Sequence, residues 1–229
     1  MLETNKPWYK RWWGFAIVIF FTIILIFLVA VGFYVNDSVK TAKKPAGLKL
    51  NGQTYQAANS DSYWLGSAKP KITIVEFGDF ACPFSEQAFP TVREISLKYK
   101  NDVKFIWRDY PVVQEYSALL ALAGRCAGEQ GLFWPMHDKL FQNQGVSAAD
   151  QLAGLANQVG ADLTRFNDCL NKQKYLPQIQ KDLQAGQTFN INGTPTYING
   201  TPTFFINGYK VEGNIPYDIF IKIIEELKK

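Results

Sequence analysis

The chain has 229 residues, 47% apolar and 15% aromatic, which suffices for one domain with its own core plus an appendage. Its net charge is only +4, from 24 basic and 20 acidic residues, and no basic stripe interleaved with aromatics occurs, which argues against nucleic-acid binding. One histidine and three cysteines, with no Cys-x-x-Cys and no histidine pair, supply no metal site; a glycine-rich phosphate loop and a Ser-His-Asp set are also missing, so no cofactor is expected.

Residues 1–12 read as a short N-terminal segment. From Trp12 to Asn36 no residue is charged, and 13–35 is almost wholly apolar, long enough at ~1.5 Å per residue to cross a ~30 Å hydrocarbon layer. Trp8, Tyr9, Trp12, Trp13 and, at the far end, Tyr34 stand where interfacial aromatics stand. The run exceeds a signal-peptide core of about 7–15 residues and no small-x-small site comes after it, so an uncleaved signal-anchor is expected. Lys6, Lys10 and Arg11 on one side and Lys40, Lys43, Lys44 and Lys49 on the other leave its orientation open. Residues 36–62 are a polar linker with a hairpin-like Leu48 to Tyr55, turning at Asn51-Gly52. The remainder, 63–229, reads as one domain.

Ile72-Thr73-Ile74-Val75-Glu76-Phe77 is a β-branched, apolar run of the kind a central strand shows, and a helix is expected from Phe84 to about Lys100. Phe89, Val92, Ile95, Ser96 and Tyr99 make its inward stripe. Between them lies Gly78-Asp79-Phe80-Ala81-Cys82-Pro83-Phe84-Ser85. A thiol at the first turn of a helix meets unpaired N–H groups and the positive end of the helix dipole, which favours its thiolate, so Cys82 is placed as a nucleophile would be. A small buried side chain is the alternative. Glu76 shares its strand face with Ile72 and Ile74, so a central strand would bury its carboxyl and raise its pKa, making it a proton acceptor near the thiol; a strand-end carboxylate in water is the other reading.

Val103 to Arg108 alternates as a strand and completes a βαβ unit. Helical patterns come next at about 114–130, 133–142, from a capping box at Ser147 to Asp150, 162–171 and 176–187, a helical insertion over about 112–187. His137 is expected on the surface of one of these helices. Thr203 to Ile206, a turn at Asn207-Gly208 and Tyr209 to Glu212 form a hairpin, and a last helix opens near Pro216. An internal repeat spans this region, Thr194-Pro195-Thr196-Tyr197-Ile198-Asn199-Gly200 against Thr201-Pro202-Thr203-Phe204-Phe205-Ile206-Asn207-Gly208.

Phe77-Gly78-Asp79-Phe80-Ala81-Cys82-Pro83, with Arg125 to Trp134 and Phe166 to Leu170, resembles the DsbA-like thioredoxin-fold family of extracytoplasmic thiol–disulfide oxidoreductases, over about Tyr63 to Leu227. The resemblance implies an α/β, thioredoxin-like fold with a helical insertion, here preceded by one transmembrane helix. It implies Cys82 as nucleophile, Glu76 as the acid six residues upstream, and a cis Thr–Pro step against the cysteine that exposes a backbone edge for a substrate strand. Thr201-Pro202 fits by its downstream residues, Pro195 by its upstream ones. Pro83 and Phe84 would border that groove. The family's second cysteine is replaced by Ser85, giving Cys-x-x-Ser; Ser85 can donate a hydrogen bond to the thiolate but cannot displace a bound substrate. Phe84 stands where the strongest oxidants of the family carry histidine, which implies weaker thiolate stabilisation.

Pairing Cys126 with Cys169 leaves Cys82 free, and the family often has a second pair in the insertion; two buried free thiols are the competing arrangement. Such a bridge persists outside the cytoplasm, which would put the C-terminal domain outside and the N-terminus inside. The expected function is a membrane-anchored thiol–disulfide oxidoreductase or isomerase of monothiol type. It would act on exported proteins or peptides with cysteines and be served by a membrane-bound or small-molecule thiol partner. The alternative is a redox-inactive peptide-binding chaperone or scaffold. A peroxidase-type thiol lacks its Thr-x-x-Cys, since Asp79 stands three before Cys82.

Overall fold

The computed structural model describes residues 12–42, 53–192 and 200–228, in two compact units, Met1–Lys49 and Leu50–Lys229. The expectations for residues 1–11, the Asn51-Gly52 turn and the first copy of the repeat, with Pro195, lie outside the described residues.

The first unit is helix α1, Trp12–Ala42. Its continuously described side chains, residues 19–33, are apolar except Thr22 and all exposed. Among the described residues no helix is long and apolar enough to cross a membrane.

The second unit is built on a five-stranded sheet of order β1-β3-β2-β4-β5. The central β2, Ile72–Gly78, pairs parallel with β3, Val103–Asp109, and antiparallel with β4, Thr203–Ile206. The edges are β1, Trp64–Gly66, and β5, Tyr209–Glu212. With both faces covered, the central strands are largely apolar and period two divides them between two cores. Ile72, Ile74, Phe105, Phe204 and Ile206 pack with α2, Pro83–Lys98, and α8, Tyr217–Leu227. Val75, Phe77, Ile106 and Phe205 pack on the opposite face with Tyr110 and Ile191.

Between β3 and β4 lie α3, Ser117–Gly128; α4, Phe133–Gln142; α5, Ala149–Gln158; α6, Leu163–Asn171; and α7, Leu176–Thr188. They form a third core around Phe133, Met136, Leu140, Leu152 and Phe166, joined to the sheet through Phe80 and Trp107. The chain thus has the thioredoxin-like α/β fold with a helical insertion. Cys126 of α3 and Cys169 of α6 are bridged, Cα atoms 5.7 Å apart, and Cys82 is free.

Several boundaries differ from expectation for local reasons. β1 is too short to show alternation, and only its pairing with β3 defines it. α2 begins at Pro83, since a first helical residue needs no N–H partner. α5 is capped from inside: the Gln151 carboxamide accepts from the Ser147 and Ala148 amides, and Ala148, not Ser147, is the cap residue. The second copy of the repeat forms β4, and Asn207 and Gly208, both at positive φ, make the two-residue hairpin turn to β5. Phe204, Phe205 and Ile206 are fully buried there; the first copy, laid in with its Thr-Pro aligned, would put Asn199 at the place of Ile206, an unpaired amide in the core.

A buried ion network ties the insertion to the sheet. Asp182 of α7 accepts from Arg108 of β3 at 2.7 Å and from Arg125 of α3 at 2.6 Å, and Arg125 also bonds Asp109, whose other oxygen accepts from the Trp107 indole at 2.8 Å. Removing one member leaves its partners charged in the interior. Arg125→Met should therefore lower stability by about 3–5 kcal/mol, read as a shift of the urea midpoint at unchanged slope.

Candidate active site

β2 ends at Gly78, and the register opposes Phe77 to Thr203, so the residues just before β4 lie just beyond the end of β2. This is where the chain turns into α2. A Cβ on Gly78 would lie 2.3 Å from the Trp107 ring, so glycine is required at the exit.

Cys82 is the N-cap residue of α2, with φ −85° and ψ 121°; its carbonyl accepts from the Glu86 amide at 3.0 Å and its amide donates to the Asp79 carbonyl at 3.0 Å. Its Sγ donates to the carbonyl of Thr201 at 3.2 Å, across the cis Thr201–Pro202 step. Cys82 is 0% exposed, while Pro83 beside it is exposed and Phe84 half-buried.

Two side chains hold this turn from opposite sides. Asp79, 2% exposed, accepts from the Ala81 amide at 2.9 Å with one oxygen and from the Val112 and Val113 amides, both at 2.8 Å, with the other. Burial raises its pKa, and these bonds with one to Ser117 pull it back. Gln144, in the connection after α4, donates from Nε2 to the Phe80 and Cys82 carbonyls, each at 3.0 Å. Sequence reasoning assigned neither residue a role. Asp79, two residues before the amide it binds, carries the local Asx-turn pattern that could have pointed to it; Gln144 lies 62 residues from Cys82 and gives no such signal.

Ser85 lies on the inner face of α2 with Ala88, Val92 and Ile95, 0% exposed. Its Oγ has no hydrogen-bond partner among the described residues, so the expected bond to the Cys82 sulfur is not formed. Thr201 Oγ1 is likewise buried without one. Glu76 sits between Trp107 and Phe204 in the sheet, 2% exposed, and burial pushes its pKa up to about 8. His137 is a correction: it is 1% exposed, with the rings of Phe80, Phe89, Trp107, Phe133, Trp134 and Phe141 at 4.8–6.0 Å. It occupies a core position of α4 with Phe133, Met136, Leu140 and Phe141, spacing that the sequence already showed. Burial lowers its pKa, and Nδ1 lies 3.0 Å from Asp138.

The family model described as Thioredoxin matches residues 58–226. The chain belongs to the thioredoxin family. This thioredoxin domain is 36% identical over 151 residues to Na(+)/H(+) antiporter NhaA 1 of Salinispora arenicola, covering 65% of this chain but 22% of that protein. It is 27% identical over 180 residues to Na(+)/H(+) antiporter NhaA 1 of Mycolicibacterium vanbaalenii, covering 76% of this chain and 27% of that one. The chain thus spans about a quarter of the length of these curated relatives. The solved structures that resemble it include DsbA-family thiol–disulfide oxidoreductases. The thiol-disulfide exchange protein alpha-DsbA2 of Wolbachia pipientis superposes with a TM-score of 0.65 at 18% identity, over 74% of this chain and 88% of that one. Oxidised BdbD of Bacillus subtilis gives 0.62 at 27% identity, over 78% and 97%.

Among the described residues no cluster of metal-ligating side chains occurs. What the thioredoxin site offers is one sulfur, held as a donor to the Thr201 carbonyl, while the same strand that leads into its turn buries the Glu76 carboxyl. The folded pKa of Glu76, about 8, lies above its unfolded value of 4.5, so the stabilisation is complete below pH 4.5 and is lost as pH rises toward 8. Glu76→Gln should remove that slope and stabilise the domain by about 3 kcal/mol at pH 7, measured by urea unfolding across pH 4–9. The sign is opposite for His137, whose folded pKa is lowered: its contribution is lost as pH falls below its unfolded value of 6.5.

Proposed function

We propose that this protein is a membrane-anchored thiol–disulfide oxidoreductase or isomerase working through Cys82 alone, on exported proteins or peptides with cysteines. One observation carries the reading: among the described residues the only free thiol belongs to the N-cap residue of α2 and donates to the Thr201 carbonyl, while the other two cysteines are already bridged in the insertion. The Cys82 thiolate attacks a substrate disulfide, one substrate sulfur leaves as a thiolate, and a mixed disulfide remains. With serine at position 85, release comes from a second thiol on the substrate, which is isomerisation, or from an external thiol, which is reduction. Glu76 exchanges the proton with the thiol, and Pro83, Phe84, Thr201 and Pro202 border the substrate. The Cys126–Cys169 bridge supports an extracytoplasmic domain. The apolar run of α1 and the occurrence of a similar domain in proteins named as Na(+)/H(+) antiporters support attachment to a membrane.

The full burial of Cys82 favours a second reading, a peptide-binding chaperone or scaffold that does not use its thiol. The two separate on one experiment. The full-length chain in detergent is incubated with an unfolded, disulfide-bridged peptide, quenched with acid and mapped by mass spectrometry. A mixed disulfide on Cys82, absent in Cys82→Ala, supports the exchange reading; protection of the peptide from aggregation that persists unchanged in Cys82→Ala, with no adduct, supports the scaffold. Ser85→Cys should release the trapped peptide without an added thiol, seen as loss of the adduct on a non-reducing gel.

A further inference from the structure

Gln144 is the one side chain from the stretch between α4 and α5 that bonds the backbone on either side of Ala81, and it does so with a single nitrogen to two carbonyls. Each carbonyl oxygen is the negative end of a peptide dipole close to the sulfur in sequence, one of them Cys82's own. A donor on it withdraws that negative charge and fixes its direction. Asp79 acts on the amide side of the same turn, so the two side chains together hold the Ala81 amide and the Phe80 and Cys82 carbonyls, while the Asp79 carbonyl takes the Cys82 amide. We propose that Gln144 is a positioning residue for thiol–disulfide exchange at Cys82. Its amide bonds the Phe80 and Cys82 carbonyls, the second of which also accepts from the Glu86 amide, so that these two oxygen dipoles are offset as the sulfur, facing the Thr201 carbonyl, develops negative charge at the helix N-terminus. This rests on the exchange reading above.

The test uses full-length chain in detergent and a dipyridyl disulfide, which reacts with thiols over a wide pH range and reports each event by its released thione. Rates are compared from pH 3.5 to 8 for the wild type, Gln144→Glu and Gln144→Met, with folding verified by circular dichroism. Losing two hydrogen bonds should slow reaction at pH 7 about tenfold in Gln144→Met, and more in Gln144→Glu, whose carboxylate faces two carbonyl oxygens. Below about pH 4.3 the introduced carboxyl takes up a proton and donates again, so the Gln144→Glu rate relative to wild type should recover while that of Gln144→Met stays constant. A loosened loop alone would give no pH-dependent recovery. If Gln144→Glu is unfolded, Gln144→Met decides by its rate at pH 7. Wild-type rates in folded variants at every pH, or slowing with no acid recovery in a folded Gln144→Glu, overturn the proposal while leaving the exchange reading intact. A wild type that does not react at Cys82 overturns both.

Discussion

The pairing of β2 with β4 is the constraint on which the site depends. Because Phe77 faces Thr203, the turn leaving β2 and the Thr201–Pro202 step entering β4 meet at one end of the sheet, and the Cys82 sulfur reaches the Thr201 carbonyl without any contribution from a flexible side chain. That register is in turn fixed by side chains with no chemistry of their own: Ile74, Phe204 and Ile206 on one face, Val75, Phe77 and Phe205 on the other. A slip of one residue would exchange the two faces and carry Thr201 away from the thiol.

The helical insertion does more than cover one end of the sheet. Through Asp109, Arg125 and Asp182 it is keyed to β3 by buried charge, and through Phe80 and His137 it is packed against the turn that carries the thiol. Its bridged cysteines lie inside its own core, in α3 and α6, so the disulfide and the free thiol belong to separate parts of the domain.

Much of this was legible in the chain itself. The strand from Ile72 to Phe77, the cysteine at the head of a helix, the insertion and the β-hairpin all come from periodicity and turn chemistry, and the resemblance to the DsbA-like family rested on Phe77 to Pro83 with two stretches of the insertion. The burial of Glu76 was implied by its strand face. What could not be read is what depends on long-range proximity: Gln144 on the Cys82 carbonyl, Asp79 on the amides of Val112 and Val113, and the absence of a bond from Ser85 to the sulfur. His137 was misplaced for a different reason, since its polarity outweighed a helical spacing that put it among Phe133, Met136 and Phe141.

The route by which the chain enters the domain has a mechanical consequence. From Thr54, bridged to Tyr209, the backbone passes Tyr55, whose amide donates to the Gly208 carbonyl, then Ala57, whose carbonyl accepts from Arg108, and Asn59, whose side-chain amide meets Asp182. A pull on the chain from its N-terminal side is therefore borne first at the β5 edge and then by the buried ion network. The turn carrying Cys82 makes none of these bonds, so the sulfur can keep its geometry under such a pull.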